Sequence, residues 1–98
     1  MDSASDLEWA LAEGSRLHWI SWDDECVVFD EGSGDTHLLD FLTAEVLKVL
    51  EQSRGPVPAL VGRVAARLDL DPDADLERRI REAMERFREA GLVEPTLS

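Results

Sequence analysis

The chain has 98 residues, of which 44% are apolar, and its 22 acidic and 10 basic side chains give a formal net charge of −12. This length suits one small domain without a deep enclosed pocket, and the apolar share is that of an ordinary globular protein rather than a disordered one. The negative charge opposes nucleic-acid binding, because most of the affinity for nucleic acids comes from neutralising phosphates.

Residues 1–15 are acidic and rich in serine and alanine. We expect them to form a flexible acidic N-terminal arm, followed by one domain over residues 16–94. The segment MDSASDLEW lacks the hydrophobic core of a signal peptide, and no apolar run in the chain approaches the roughly 20 residues of a membrane span. We therefore expect a cytoplasmic protein with no membrane partner.

Three short segments rich in β-branched and aromatic residues follow, at about 16–22, 25–30 and 35–39. Such residues favour strands. An acidic pair separates the first two segments, and the glycine-containing residues 31–34 separate the second and third. The pattern predicts an antiparallel meander of three strands.

The apolar period then changes to that of helices. Thr43 is a candidate N-cap for a helix at about 44–53, and a second helix is predicted at about 58–68. A third, at about 75–90, ends at Gly91, a residue that commonly follows the last helical turn. Its apolar stripe is the clearest in the chain and consists of Leu76, Ile80, Ala83, Met84 and Phe87.

Three strands followed by three helices indicate an α+β domain in which one face of the sheet packs on the helices. In a meander, the third strand is a candidate edge strand. If nothing in the chain covers it, its outer N–H and C=O groups remain free to pair with another chain.

The segment EGSGDTHLLD, residues 31–40, does not match a phosphate-binding or hydrolytic site. Gly32-Ser33-Gly34 lacks the lysine and the spacing of known phosphate loops. Ser33 and His37 would lie about 13 Å apart along a strand, whereas a nucleophile needs its base at about 3 Å. The glycines instead predict a hairpin turn.

Metal and thiol chemistry are also not indicated. His18 and His37 lie on different predicted strands, and nothing in their spacing requires a metal. Cys26 lies in an apolar run, where a small buried thiol is inert. We predict no catalytic residue, no metal site and no cofactor.

Charge is unevenly distributed along the chain. Residues 1–31 contain nine acidic residues and one basic residue, whereas residues 54–68 contain three arginines and no acid. Local positive surface on the helical half suits a peptide partner. The alternative is a winged-helix DNA-binding or regulatory protein, against which the net charge weighs. Its candidate arginines are Arg63, Arg67, Arg78, Arg79 and Arg81.

Residues 21–50, SWDDECVVFDEGSGDTHLLDFLTAEVLKVL, resemble the pyrroloquinoline quinone biosynthesis protein D (PqqD) family of peptide chaperones, also called RiPP recognition elements. More narrowly, they are similar to the subgroup found beside an HPr-kinase-related protein, of which SGDTHLLD is a hallmark. The similarity spans about residues 17–93, and the ending EAGLV at residues 89–93 also matches.

The resemblance implies a winged-helix-like domain that does no chemistry itself. It implies that the leader segment of a ribosomally made precursor peptide joins the sheet beside the third strand, lies in a groove against the third helix, and is presented to a modifying enzyme. Backbone hydrogen bonds then give affinity and side-chain pockets give selectivity. By position, the expected peptide-binding residues are Asp35, Thr36, His37, Leu38, Leu39, Arg79, Ile80, Ala83 and Arg86.

The resemblance also makes an HPr-kinase-related protein the candidate modifying partner. An open strand edge would permit a homodimer as well.

Overall fold

The computed structural model describes residues 8–22 and 25–96. None of the helices in these ranges is long and apolar enough to cross a membrane. The elements of the described ranges are, in chain order, β1 Glu8–Leu11, β2 Leu17–Trp22, β3 Glu25–Asp30, β4 Asp35–Leu39, α1 Phe41–Gln52, α2 Val57–Leu68, α3 Ala74–Glu89 and β5 Val93–Thr96.

The predicted three-stranded sheet is confirmed. Strands β2, β3 and β4 form an antiparallel sheet in that order. Trp19, Val28 and His37 lie side by side across it, and Val28 is completely buried, so this row belongs to the face that packs on the helices. Ile20 and Leu38 lie in the next row, on the opposite face, and both are exposed. The predicted α+β fold, a three-stranded antiparallel sheet followed by three helices, is therefore present.

Helix α1 begins three residues before its predicted start, because Asp40 rather than Thr43 is the N-cap. The Asp40 carboxylate accepts a hydrogen bond from the Thr43 amide at 2.8 Å. Helix α3 is capped in the same way by Asp73, which accepts from the Leu76 amide at 2.9 Å. Helix α3 ends at Glu89, with Ala90 as its C-cap. The next residue, Gly91, stops the helix as predicted, with a φ of +80°, the left-handed conformation that favours glycine.

The core lies between the inner face of the sheet and the three helices. All five residues of the predicted α3 stripe are buried. After α3, Leu92 and Val93 return to the core and are 1% and 3% exposed. Each large apolar side chain buried in this way stabilises the fold by about 1.5–3 kcal/mol, so the core fixes α3 against α1, α2 and β5.

Strand β1 differs from the flexible arm that the sequence predicted over residues 1–15. It pairs antiparallel with β5 along its whole length, and Trp9 exchanges backbone hydrogen bonds with Gly55 at 2.8 and 3.1 Å. The physical reason is that Trp9 and Leu11 pack against the core, which favours their burial, while the chain after α3 supplies a partner strand. The prediction for residues 1–7 lies outside the described residues.

Asp30, at the end of β3, holds two turns together. It is 3% exposed and accepts hydrogen bonds from the amides of Arg16 and Gly32, at 3.0 and 2.9 Å, and from the hydroxyls of Ser33 and Ser15, at 3.3 and 3.5 Å. Burial raises the pKa of the Asp30 carboxyl, but the hydrogen bonds together outweigh burial and hold this pKa below its usual range.

The glycines between β3 and β4 allow the backbone conformation that the predicted hairpin turn requires. A Cβ atom on Gly32 would lie 2.2 Å from the carbonyl oxygen of Gly14, so only glycine fits there. Gly34 has a φ of +82°, which again favours glycine. Because the Ser33 hydroxyl is bonded to Asp30, this turn is a structural element.

Candidate functional site

Strand β4 is one of the two edge strands of the three-stranded sheet; β2 is the other. Strands β1 and β5 pair with each other in a separate two-stranded sheet. Within residues 8–22 and 25–96, no strand pairs with the outer side of β4. Neither β1 nor β5 therefore occupies the edge that the sequence identified as a docking position.

The hydrogen-bonding pattern of the sheet shows which backbone N–H and C=O groups of β4 point towards this edge. The Glu31 amide donates to the Arg16 carbonyl at 2.8 Å, which extends the β2–β3 ladder by one hydrogen-bonded pair. Hydrogen-bonded and non-hydrogen-bonded pairs alternate along an antiparallel ladder, so Val28 directs its backbone groups towards β4. The β4 partner of Val28 is His37. The residues on either side of His37, which are Thr36 and Leu38, therefore direct their N–H and C=O groups outward.

The β4 side chains divide between the two faces of the sheet. His37 and Leu39 lie on the inner face and are half-buried. Thr36 and Leu38 lie on the outer face, where Leu38 is 64% exposed. Side chains can therefore be changed at Thr36 and Leu38 with little effect on the core.

A cleft of about 360 Å³ lies between β4 and α3 and is called the β4–α3 groove below. Leu39 and Ala90 give it an apolar wall, and the buried side chains of Phe87 and Leu92 lie behind this wall. Its complete lining is Thr36, His37, Leu38, Leu39, Asp40, Thr43, Arg86, Phe87, Ala90 and Leu92.

A smaller cleft of about 100 Å³ adjoins the groove and continues it along α3. The two clefts share Asp40, Thr43 and Arg86. The smaller one adds Arg79, Glu82 and Ala83. The open edge of β4 is thus flanked by a continuous depression against α3.

Asp40 is the acidic group at the junction of the two clefts. The side chain and the amide of Thr43 hold the pKa of the Asp40 carboxyl below its usual range, against a smaller opposing effect of burial. The positive charges of Arg86 and Arg79 lower this pKa further. Of these two arginines, Arg79 is paired with Asp75 at 3.2 Å.

His37 contributes a polar atom without a partner. Its Nε2 atom is buried and makes no hydrogen bond among the described residues. A buried polar atom left unsatisfied costs about 1–3 kcal/mol. A bound molecule that placed a polar group at this nitrogen would remove that cost.

The structure brings most of the sequence-predicted site residues together. Thr36, His37, Leu38, Leu39 and Arg86 line the groove, and Arg79 and Ala83 line the adjoining cleft.

Two predicted site residues lie elsewhere. Asp35 is exposed at the start of β4 and lines neither cleft. Ile80 is completely buried, so its assignment to the groove surface is corrected: it lies at the centre of the apolar stripe of α3 and supports the cleft from beneath.

Six lining residues were not predicted from the sequence: five of the groove, and Glu82 of the adjoining cleft. Asp40 and Thr43 were missed because the N-cap was placed at Thr43. Phe87 was assigned only to the apolar stripe of the third helix, and Leu92 lies beyond the predicted end of that helix. Ala90 could have been found, because it continues the helical spacing of Arg79, Ala83 and Arg86 along one face of α3.

The candidate arginines of the DNA-binding alternative do not form a free basic surface. Arg67 pairs with Glu45 at 3.1 Å, Arg81 pairs with Glu77 at 2.8 Å, and the Arg63 guanidinium donates to a backbone carbonyl. Arg78 and Arg79 both pair with Asp75. Paired cations of this kind are poorly placed to neutralise phosphates. The described residues also contain no cluster of three or more histidine, cysteine or acidic side chains that could hold a metal ion.

The fold and the site together define an α+β domain whose sheet leaves one edge open beside a helix-lined groove. The family model described as Coenzyme PQQ synthesis protein D (PqqD) matches residues 25–93, from the start of β3 to the start of β5. The chain belongs to this family.

Comparison with individual proteins adds to the evidence on the fold. No curated protein matches the sequence significantly. Among solved structures, the chain is similar to TbiB1 in complex with the TbiA(beta) leader peptide, with a TM-score of 0.65 and 19% sequence identity over 91% of this chain and 99% of that one. At this identity the similarity concerns the fold, which the two proteins share over nearly their whole lengths.

Proposed function

We propose that the protein is a non-catalytic peptide chaperone, a RiPP recognition element, that binds the leader segment of a ribosomally made precursor peptide by strand addition to β4. The observation that carries this proposal is the open edge of β4 beside the β4–α3 groove. Membership of the PqqD family supports it, as does the similarity in fold to TbiB1, whose structure contains a leader peptide.

The dimensions of the site suit an extended peptide. Five residues of β4 span about 17 Å, and the stretch of α3 from Arg79 to Ala90 rises about 17 Å along the helix axis. A guest strand pairing with Thr36 and Leu38 would place every second side chain over the groove, where Leu39 and Ala90 offer apolar contact. This combination provides backbone affinity and side-chain selectivity in one site.

The proposal includes presentation of the bound leader to a modifying enzyme. The resemblance to the subgroup found beside an HPr-kinase-related protein makes that protein the first partner to test. A homodimer formed through the β4 edge would compete with the peptide, because both would use the same backbone groups.

Amide chemical-shift mapping by NMR tests the binding mode. The probes are synthetic peptides that tile the short open reading frames encoded beside this gene. We expect shifts confined to Thr36–Leu39 and to α3 between Arg79 and Ala90. Shifts centred on β1 and β5, or no binding by any of these peptides, would contradict the proposal.

A further inference from the structure

The β4–α3 groove and its adjoining cleft have different chemistry. The groove carries the apolar wall formed by Leu39 and Ala90, whereas the adjoining cleft carries the charged residues Arg79 and Glu82. Arg86 lines both clefts and therefore stands where the apolar and charged parts meet.

Arg86 is the groove cation that is left without a close counter-charge. Within the described residues, no carboxylate lies within the 4.0 Å ion-pair distance of its guanidinium. Arg79, by contrast, is paired with Asp75 at 3.2 Å. A guanidinium at the edge of an apolar cleft attracts carboxylates, with which it forms paired hydrogen bonds.

The acidic residues of the two clefts are already engaged. Asp40 accepts the Thr43 amide at 2.8 Å as the cap of α1, and its attraction to Arg86 acts beyond ion-pair distance. Glu82 lies 3.5 Å from Arg78. A guest carboxylate would therefore meet a positive charge that no neighbouring side chain has closely neutralised.

Resting on the proposed function, we propose that the groove selects a peptide segment with one acidic side chain, which pairs with Arg86, and a large apolar side chain two or four residues away, which packs on Leu39 and Ala90. The spacing is even because alternate side chains of a strand face the same side. Two strand residues span about 6.6 Å, close to the rise of about 6 Å between Arg86 and Ala90 along α3.

Because the protein carries a net negative charge, we expect the preference for an acidic residue to apply at one position of the guest peptide only. A chain with a net charge of −12 repels acidic peptides in general. Acidic residues should therefore be selected at the position facing Arg86 and disfavoured elsewhere in the guest.

The test uses an mRNA-displayed library of random 12-residue peptides, selected in parallel on the wild-type chain, Arg86→Glu and Arg88→Glu. Arg88 is a matched control, because it lies in the same last turn of α3, is exposed, and lines neither cleft. Both variants change the net charge and the charge at the end of the helix equally. Arg86→Gln is a milder variant that removes the cation without reversing it, and thermal melts check the folding of every variant.

We expect the wild-type and Arg88→Glu pools to share an acidic residue at even spacing from a large apolar one. The Arg86→Glu pool should lose this acid and gain lysine or arginine at the same position. Wild-type-selected peptides should bind Arg86→Glu about tenfold or more weakly, and Arg88→Glu within about twofold of the wild type, as expected for a charge pair at the edge of an interface compared with a remote surface charge.

The outcomes separate this inference from the function on which it rests. Pools that share the apolar residue but show no acid preference, or that do not respond to Arg86→Glu, would overturn the inference and leave strand addition intact. No enrichment on any variant, or selected peptides that bind Leu38→Pro normally, would overturn both. A concentration-dependent dimer in sedimentation that excludes peptide and is broken by Leu38→Pro would assign the groove to a second copy of the chain instead.

Discussion

The two edge strands of the sheet, β2 and β4, differ in what lies beside them. On β2, the inner-face Trp19 is held against α1: its indole nitrogen donates to Glu51 at 2.7 Å, and the Lys48 ammonium lies 5.1 Å from its ring centroid. Beside β4, the chain leaves the β4–α3 groove of about 360 Å³. Within residues 8–22 and 25–96 no further strand pairs with either edge, but only the β4 edge has a groove that could also bury the side chains of a proposed guest. An open edge becomes a selective site where a helix stands far enough away to leave such a space.

The largest effect should come from Leu38→Pro, which removes an outward N–H from β4 and adds a ring that obstructs a guest strand. We expect peptide affinity to fall by about a hundredfold, equivalent to about 3 kcal/mol, as measured by isothermal titration calorimetry. The fold should persist, because Leu38 is exposed and its N–H does not pair with β3.

Two control variants separate the effect of the backbone from that of the side chain, and the β4 edge from the β2 edge. Leu38→Ala keeps the N–H and should bind within about threefold of the wild type, because a strand guest depends mainly on the backbone. Ser21→Pro alters the exposed edge of β2, where the same alternation of the ladder directs Ser21 outward, and should leave affinity unchanged. Loss of binding in Ser21→Pro but not in Leu38→Pro would place the guest on β2.

Asp30→Ala should loosen both edges, because Asp30 holds the turn before β2 and the turn before β4. The variant leaves the amides of Arg16 and Gly32 without the acceptor of two partly buried hydrogen bonds, and we expect the free energy of unfolding to fall by about 2–3 kcal/mol in urea denaturation. Asp35→Ala, an exposed change five residues away, should stay within about 0.5 kcal/mol of the wild type. Equal stability of the two variants would show that Asp30 does not organise the turns.

Acid should destabilise the protein in part through Asp30 and Asp40. Both carboxyls have a folded-state pKa below the usual value, so their contribution to stability is complete above the unfolded pKa of about 3.9 and is lost as the pH falls through the lower folded values. Urea denaturation between pH 5 and pH 2, with the Asp30→Asn and Asp40→Asn double variant as control, measures this. The free energy of unfolding should depend less steeply on pH in the double variant than in the wild type; an equal slope would contradict this expectation.

The smallest effect should come from Glu51→Ala on the β2 side. It removes an exposed hydrogen bond to Trp19 and should cost about 0.5–1 kcal/mol of stability in thermal unfolding. Peptide affinity should not change, because the proposed binding edge is β4. A marked loss of affinity would mean that the Trp19 contact with α1 also positions the guest.

The sequence supported the fold better than the site because the two depend on different information. Alternation predicted the sheet, and the apolar stripe from Leu76 to Phe87 predicted α3, since local periodicity follows from burial on one face. Trp9 gave no comparable signal, because β1 forms only when β5, more than 80 residues later in the chain, returns beside it. The α3 side of the groove was partly predictable from helical spacing. Spacing alone does not show that Ile80 is buried, or that Arg86 has no carboxylate within ion-pair distance among the described residues, because both depend on how the elements pack.

The most direct test of the central claim is amide hydrogen exchange of the 98-residue chain with and without a bound leader-derived peptide. We expect the Thr36 and Leu38 amides, which point outward, to exchange rapidly in the free protein and to become protected in the complex, while the exchange of the Trp19 and Ser21 amides of β2 does not change. Protection of the β2 amides, or tight binding that leaves Thr36 and Leu38 unprotected, would contradict this claim.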